Sequence, residues 1–156
     1  MDNKKLVFFY FASFFIILLF LVPGCSFPRI VFLDDKLTPE EHIALGVAYE
    51  QKGQFENAIK AYHYASKRTN AAYFYLGNAY LQQNDLDKAE KYYRKAINYY
   101  PEHADAYNNL AWLYYLKRQN LAEAESLANR AIELNPDKKA VYLDTLEKIR
   151  ELKLIQ

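Results

Sequence analysis

The sequence predicts an all-α protein built from helix pairs of one kind that stack side by side. A Leu, a small residue and a Tyr recur in one pattern, and its two best copies begin at Leu76 and Leu110, 34 residues apart. An earlier copy begins at Leu45. A repeat of this length corresponds to one helix–turn–helix unit, which buries its apolar face only against neighbouring units. We therefore expect three stacked units that share one core.

Small residues recur at fixed places in the second helix of each unit. Ala89 is followed seven residues later by Ala96, two turns further along the same helix face. Small side chains at these places let two helices cross closely, while large ones fill the space between the crossings. The expected small residues are Ala58, Ala65, Ala89, Ala96, Ala124 and Ala131, and the large partners include Tyr62 and Tyr93.

Glycines and capping residues predict the helix boundaries and close contacts. Gly46 and Gly77 fall inside the first helices, where Gly costs roughly 1 kcal/mol against Ala, so we expect each to admit a neighbouring helix. Thr38 is predicted to begin the first helix, with Glu41 completing a capping box. Turns are predicted at three places that contain Gly or Asn: 52–54, 83–85 and 118–120.

The repeats resemble the tetratricopeptide repeat family over residues 38–136. The resemblance implies a right-handed superhelix of three helix–turn–helix repeats, at about 38–69, 70–103 and 104–136, with a capping helix over 137–156. The first repeat is short, since Leu45 and Leu76 are 31 residues apart, and the third has one extra residue before Ala124. Both departures fall in predicted loops, where changes of length are tolerated.

The last segment predicts an amphipathic capping helix, because a terminal repeat needs one polar outer face. Its expected apolar stripe consists of Val141, Tyr142, Leu146, Ile149 and Leu152. Its expected outer face carries Lys138, Lys139, Lys148 and Arg150.

The N-terminal 24 residues resemble a bacterial lipoprotein signal. Two lysines precede an uncharged apolar run over 6–22, and Pro23-Gly24-Cys25 follows, with the only cysteine of the chain. The resemblance implies cleavage before Cys25, palmitate or a similar acyl chain on Cys25, and a lipidated tether over 25–37. The protein would then lie on the extracytoplasmic side of a membrane of the cell envelope. Ser26, in place of Asp, favours the outer membrane where the cell has one.

An uncleaved membrane anchor is the alternative for this segment. Seventeen apolar residues reach the lower limit for spanning a bilayer. Either interpretation puts the repeats outside the cytoplasm, because the lysines stay inside. A free secreted protein is favoured less, since the small-x-small cleavage site is missing.

Charge and composition argue against several classes of function. Removing 1–24 takes away two lysines and one aspartate and leaves the side-chain charges balanced. A nucleic-acid partner is therefore not expected. His42, His63 and His103 lie on different predicted elements without metal-ligand spacing, and no Gly-rich phosphate loop is present. We expect no catalytic residue, metal, cofactor or small-molecule substrate.

The resemblance implies that the first helices line a concave groove for a peptide or partner protein. The groove residues so implied are Phe74, Tyr75, Asn78, Leu81, Asn108, Asn109, Trp112 and Tyr115, flanked by Ile43, Val47, Glu50, Gln82 and Leu116. Aromatic side chains give large contact area and are enriched at binding hot spots. For Trp112 a place in the core is the alternative. Phe74 stands where related grooves that grip a C-terminal carboxylate use Lys, which argues against such a clamp.

The hypothesis is a membrane-anchored interaction adaptor of the bacterial envelope, and not an enzyme. One alternative is a self-associating structural module whose groove is filled by its own capping helix or by a second copy. Another rests on residues 35–46 and the repeats after them, which resemble the C-terminal region of C39-type peptidase lipoproteins. That resemblance implies an accessory subunit of a separately encoded papain-like peptidase.

Overall fold

The computed structural model describes residues 36–156. Within this range the chain forms seven α-helices, one short 3₁₀-helix and no strand. The helices are α1 (Pro39–Glu50), α2 (Phe55–Ala65), α3 (Ala72–Gln82), α4 (Leu86–Tyr99), α5 (Ala104–Lys117), α6 (Leu121–Leu134) and α7 (Lys139–Leu154), with the 3₁₀-helix at Pro136–Lys138. The predicted signal, Cys25 and nearly all of the tether lie outside the described residues.

The first helix begins as predicted. Thr38 Oγ1 accepts a hydrogen bond from the Glu41 backbone N–H at 3.1 Å, and Glu41 Oε2 accepts one from the Thr38 N–H at 2.7 Å. Pro39 occupies the first position of the helix, where its missing N–H costs nothing. The capping box is therefore confirmed.

Left-handed residues form the three turns within the units. Gly53 has φ +70° and Asn84 has φ 60°, one such residue in each of the first two turns. The third turn has two, Arg118 at φ 51° and Asn120 at φ 53°. The extra residue of the third unit lies at the end of α5, which continues three residues past Tyr114, whereas α3 continues two past Tyr80. The connections that follow, 83–85 and 118–120, have the same length, so the extra residue does not lengthen the loop as the spacing predicted.

Helices pack closely within each unit through a matched pair of positions. A Cβ on Gly46 would lie 2.2 Å from Tyr62 Cε1, and a Cβ on Gly77 would lie 2.5 Å from the Tyr93 ring. The tyrosine ring thus rests directly on the glycine backbone. In the third unit the corresponding positions are Ala111 and Ala128, both fully buried.

The six predicted crossing residues are all buried, at no more than 1% exposure. One predicted core residue is not: Leu45 is 37% exposed, whereas Leu76 and Leu110 are almost completely buried. On α3 and α5 this leucine has a preceding unit beside it. Among the described residues no unit precedes α1, so Leu45 has no such neighbour.

The capping helix packs through most of its predicted stripe. Tyr142, Leu146, Ile149 and Leu152 are buried, but Val141 is 61% exposed and its assignment was wrong. Thr145 takes the buried place instead. A 100° step per residue puts Thr145 one turn from Tyr142 and Ile149, while Val141 falls on the edge of the stripe.

Within residues 36–156 no helix has the length and apolar character needed to cross a bilayer.

Candidate functional site

The first helices of the units stand side by side and form the concave surface. α1 contacts α3, α3 contacts α5, and α5 contacts α7, which takes the place of a fourth first helix. An open hollow of about 560 Å³ lies on this surface. Its lining residues are Glu50, Phe55, Asn78, Leu81, Gln82 and Asn109, among which there is no Lys, Arg or His.

Glu50, at the end of α1, supplies the charge of the hollow. Its Oε2 accepts a hydrogen bond from the Tyr62 hydroxyl at 2.9 Å. Burial raises the pKa of the Glu50 carboxyl above its usual value, and the hydrogen bond from Tyr62 offsets part of that rise. Burial and the same carboxylate raise the pKa of the Tyr62 hydroxyl, so the hydroxyl stays protonated and acts as the donor.

Asn78 and Asn109, which both line the hollow, join α3 to α5. Asn78 Oδ1 accepts from the Tyr93 hydroxyl at 2.8 Å and from Asn109 Nδ2 at 3.0 Å. These bonds use the carbonyl of Asn78 and one N–H of Asn109. The Asn78 amide N–H groups and the Asn109 carbonyl keep their hydrogen-bonding capacity for a ligand or water.

One aromatic group lies towards the beginning of α3. Phe74 packs against His103, with ring centroids 4.4 Å apart, and against Tyr75 at 5.7 Å. Tyr75 in turn lies 5.4 Å from Tyr62. The group therefore links the groove wall to the core of the first unit.

Trp112 and Tyr115 form a second aromatic group, stacked with centroids 4.8 Å apart. Lys148 of α7 lies over the indole, 5.3 Å from its centroid. Phe74 contacts His103, which precedes Trp112 by nine residues, or roughly 13 Å along a helix. Phe74 and Trp112 therefore belong to two separate aromatic groups.

The other predicted groove residues divide between groove and core. Leu81 and Gln82 line the hollow. Asn108 does not belong to the groove surface, because it is only 8% exposed and its Oδ1 is buried. Ile43 and Val47 are half-buried and pack against the core, while Leu116 is 43% exposed.

Two contributors to this surface were missed in the sequence. Phe55, at the start of α2, reaches the hollow although it belongs to a second helix. Lys148 was assigned to the outer face of the capping helix, yet it covers Trp112 and pairs with Asp144 at 2.6 Å. In the sequence, α7 follows the third unit where the first helix of a fourth unit would lie. That position could have predicted that Lys148 faces the concave surface.

The histidines are occupied by structural contacts. His42 stacks on Tyr64 at 5.3 Å, and His63 lies 3.2 Å from the Tyr80 hydroxyl. His103 Nδ1 accepts from the Ala106 N–H and so caps α5. Within residues 36–156 no group of His, Cys, Asp and Glu side chains is arranged to hold a metal ion.

The family profile of the tetratricopeptide repeat matches residues 43–99 and 76–139, more than half of the chain. The chain belongs to the tetratricopeptide repeat family. Tetratricopeptide folds are typically non-catalytic interaction modules, and the groove just described is the surface such modules use.

Curated tetratricopeptide relatives match only in part. Mouse BBSome complex member BBS4 is 38% identical over 72 residues, 45% of this chain and 14% of that protein. Human protein O-mannosyl-transferase TMTC2 is 30% identical over 100 residues, 60% of this chain and 12% of that protein. Stress-induced-phosphoprotein 1 of Caenorhabditis elegans is 36% identical over 67 residues, 43% of this chain and 21% of that protein. The match thus spans a small part of each relative.

Solved tetratricopeptide domains share the fold. The TPR2B domain of yeast Sti1, in complex with pHsp70, superposes with a TM-score of 0.69 at 21% identity, over 72% of this chain and 96% of that one. The first TPR domain of Spaghetti (RPAP3), bound to the HSP90 peptide SRMEEVD, gives 0.68 at 20% identity, over 76% and 94%. The predicted all-α tetratricopeptide fold is confirmed.

Proposed function

We propose that this protein is a lipid-anchored adaptor of the bacterial cell envelope whose groove binds an extended segment of a partner protein. The observation that carries the binding role is the hydrogen-bonded Asn78–Asn109 pair in the lining of the hollow. Its spare amide donors and acceptor match the alternating N–H and C=O groups of an extended backbone. The aromatic pair Trp112–Tyr115 offers a surface for an apolar side chain beside it.

The solved neighbours support a peptide rather than a small molecule, since they hold Hsp70 and HSP90 segments on stacks of similar size. A grip on a C-terminal carboxylate is not part of the proposal. Three of the four basic residues of α7 are paired elsewhere: Lys148 with Asp144, and both Arg150 and Lys153 with Glu125.

A photo-crosslinking residue at Gln82, on the rim of the hollow, tests the binding site. In envelope preparations we expect it to capture a defined segment of one partner, which mass spectrometry identifies. The same residue at Lys91, on the exposed side of α4, serves as the control. Equal capture from both positions would show that the groove has no special role.

Trp112→Ala then tests the energetics with the captured segment as a synthetic peptide. We expect affinity to fall by about 2 kcal/mol or more, because a half-buried stacked indole is a typical hot spot. Thermal melts on the same variant should change little. A stability loss of about 3–5 kcal/mol, the cost of removing a buried aromatic, would instead place Trp112 in the core.

Cys25→Ser tests the anchor, which rests on the sequence alone. We expect the wild-type protein to incorporate labelled fatty acid and to lose residues 1–24, and the variant to do neither. Wild-type protein that keeps these residues and carries no acyl chain would support the uncleaved anchor instead.

Self-association is a second candidate because apolar residues are exposed at both ends of the described stack. Leu45 is exposed on α1, and Leu154 and Ile155 are 86% and 79% exposed at the other end. Light scattering on the full-length chain, with Leu154→Glu as the variant, distinguishes a stable dimer from a monomer. The accessory role beside a papain-like peptidase stays a prediction, which the crosslinked partner would test.

A further inference from the structure

Glu50 is a carboxylate without a counter-ion at the edge of a ligand-sized hollow. Its Oε2 accepts the Tyr62 hydroxyl, whereas its Oε1 is buried and has no hydrogen-bond partner among the described residues. The other lining residues are one aromatic side chain, Phe55, one aliphatic side chain, Leu81, and the three amides of Asn78, Gln82 and Asn109. None of them supplies a positive charge.

An uncompensated charge in this setting makes the hollow electrostatically selective. A carboxylate oxygen that has lost water without gaining a donor destabilises the ionised form, and the raised pKa of Glu50 agrees with this. A cationic donor entering the hollow would provide the missing partner. An anionic group would meet repulsion from Glu50 with no cation to offset it.

We propose that the hollow is a subsite for one lysine or arginine side chain of the bound segment, with Glu50 as its counter-ion. This inference rests on the proposed peptide-binding function and names its ligand chemistry. The aliphatic stem of the basic side chain would lie against Leu81 and Phe55, and its N–H groups would face the carbonyls of Gln82 and Asn109 as well as Glu50. A volume of about 560 Å³ lies within the range of small-ligand sites and admits such a side chain with its flanking backbone.

The position of the counter-ion is fixed by the core of the first unit. The Tyr62 ring lies directly on Gly46, where any Cβ would collide with it, and its hydroxyl holds Glu50 Oε2. A donor held by a fully buried ring costs little to organise when the ligand binds. The carboxylate then has to reorient about its hydrogen bond to Tyr62 so that Oε1 meets the cation.

A random peptide library displayed against the full-length chain in lipid nanodiscs tests the proposal. We expect peptides enriched on the wild type to carry Lys or Arg at one fixed position. On Glu50→Gln that preference should fall about tenfold or more, the worth of one charge-assisted hydrogen bond. Glu133→Gln, an exposed carboxylate on α6 that pairs with Arg130, should leave the preference unchanged.

The outcomes separate the two proposals. Enriched peptides with no basic position, or with a basic preference that survives Glu50→Gln, overturn the subsite and leave the groove intact. No enriched peptide at all overturns the groove function itself, and the subsite with it. A thermal melt of Glu50→Gln that matches or exceeds the wild type ensures that any lost preference does not come from unfolding.

Discussion

The first two units and the third differ in the residues at which the two helices of a unit cross. Units one and two place a tyrosine on a bare glycine, Tyr62 on Gly46 and Tyr93 on Gly77. Unit three has alanine on both sides. The backbone arrangement is shared, but only the glycine–tyrosine version sends a phenol through the core to the concave surface.

This difference determines which units hold polar side chains of the hollow in place by hydrogen bonds from the core. The two phenol hydroxyls end on Glu50 and Asn78, both of which line the hollow. In unit three the corresponding hydrogen bond from a tyrosine comes from α7. The Tyr142 hydroxyl of that helix donates to Asp105 on α5 at 2.7 Å. A core substitution in units one and two should therefore change the groove, whereas one in unit three should change the docking of α7.

Gly77→Ala tests the glycine–tyrosine pair directly and should destabilise the protein. In an ordinary helix position the change stabilises by about 1 kcal/mol. Here the new Cβ would lie 2.5 Å from the Tyr93 ring, so we expect a loss of about 1–3 kcal/mol in the free energy of unfolding. Urea denaturation measures it.

Tyr93→Ala provides the matched background, because adding Gly77→Ala to it reproduces the alanine pair of unit three, Ala111 and Ala128. Alone it should cost about 3–5 kcal/mol, since a buried ring and its hydrogen bond to Asn78 are lost. In that background Gly77→Ala should cost little or even stabilise, which a double-mutant cycle shows as coupling of about 1 kcal/mol or more. Additive losses would mean that the two pairs are not alternative solutions.

Local patterns in the sequence were enough to predict the repeat, its small residues and the capping box. Each depends on neighbours a few residues away or on a strict period, so the residue type alone carries the signal. Gly46 and Gly77 were also recognised as places of close approach. Their partners, Tyr62 and Tyr93, follow at the same offset of 16 residues, which links the pairs once the units are aligned.

The features that could not be predicted from the sequence depend on which helix packs against a given helix face. Leu45 and Leu76 are equivalent in the pattern, but only Leu76 has a preceding unit beside it among the described residues. Asn108 takes the register position of Phe74 and yet is buried, and it lies on α5, which contacts α7. The unpaired state of Glu50 depends on three helices meeting, which no local pattern records.

Asp105→Asn probes the α7 side of the comparison and should have an intermediate effect. Burial alone would raise the pKa of Asp105, but hydrogen bonds from Lys138 Nζ and the Tyr142 hydroxyl outweigh it and hold that pKa below its usual value. A lowered carboxyl pKa stabilises the fold above the unfolded-state pKa, and this stabilisation is lost as the pH falls through the folded-state value. The residue is partly exposed, so we expect a loss of about 1 kcal/mol at pH 7.

Thermal melts across the acid range check the sign of this effect. The difference between wild type and Asp105→Asn should be full at pH 7 and should shrink below about pH 4, where Asp105 itself becomes protonated. Glu125 also has a lowered pKa, through Lys153 and Arg150, and serves as the control. Glu125→Gln, which removes this carboxylate, should leave the stability difference caused by Asp105→Asn unchanged. If the two substitutions change each other's effect on stability, α7 undocks as one unit.

Glu50→Gln should have the smallest effect on stability, and one of opposite sign. Because burial raises the pKa of Glu50, the folded state holds its proton more tightly than the unfolded state. Stability from this group is therefore present below the unfolded-state pKa and falls as the pH rises through the folded-state value. The charged or polar groups that face it are the Tyr62 hydroxyl from α2, Asn78 and Gln82 from α3 and Asn109 from α5, none of them cationic.

Glutamine keeps an acceptor for Tyr62 without the charge, so the variant should melt slightly higher than the wild type at pH 7 and equally at pH 4. A lower melting temperature at pH 7 would mean that the ionised carboxylate stabilises the first unit, and the contrast between a binding charge in unit one and a structural charge in unit three would fail.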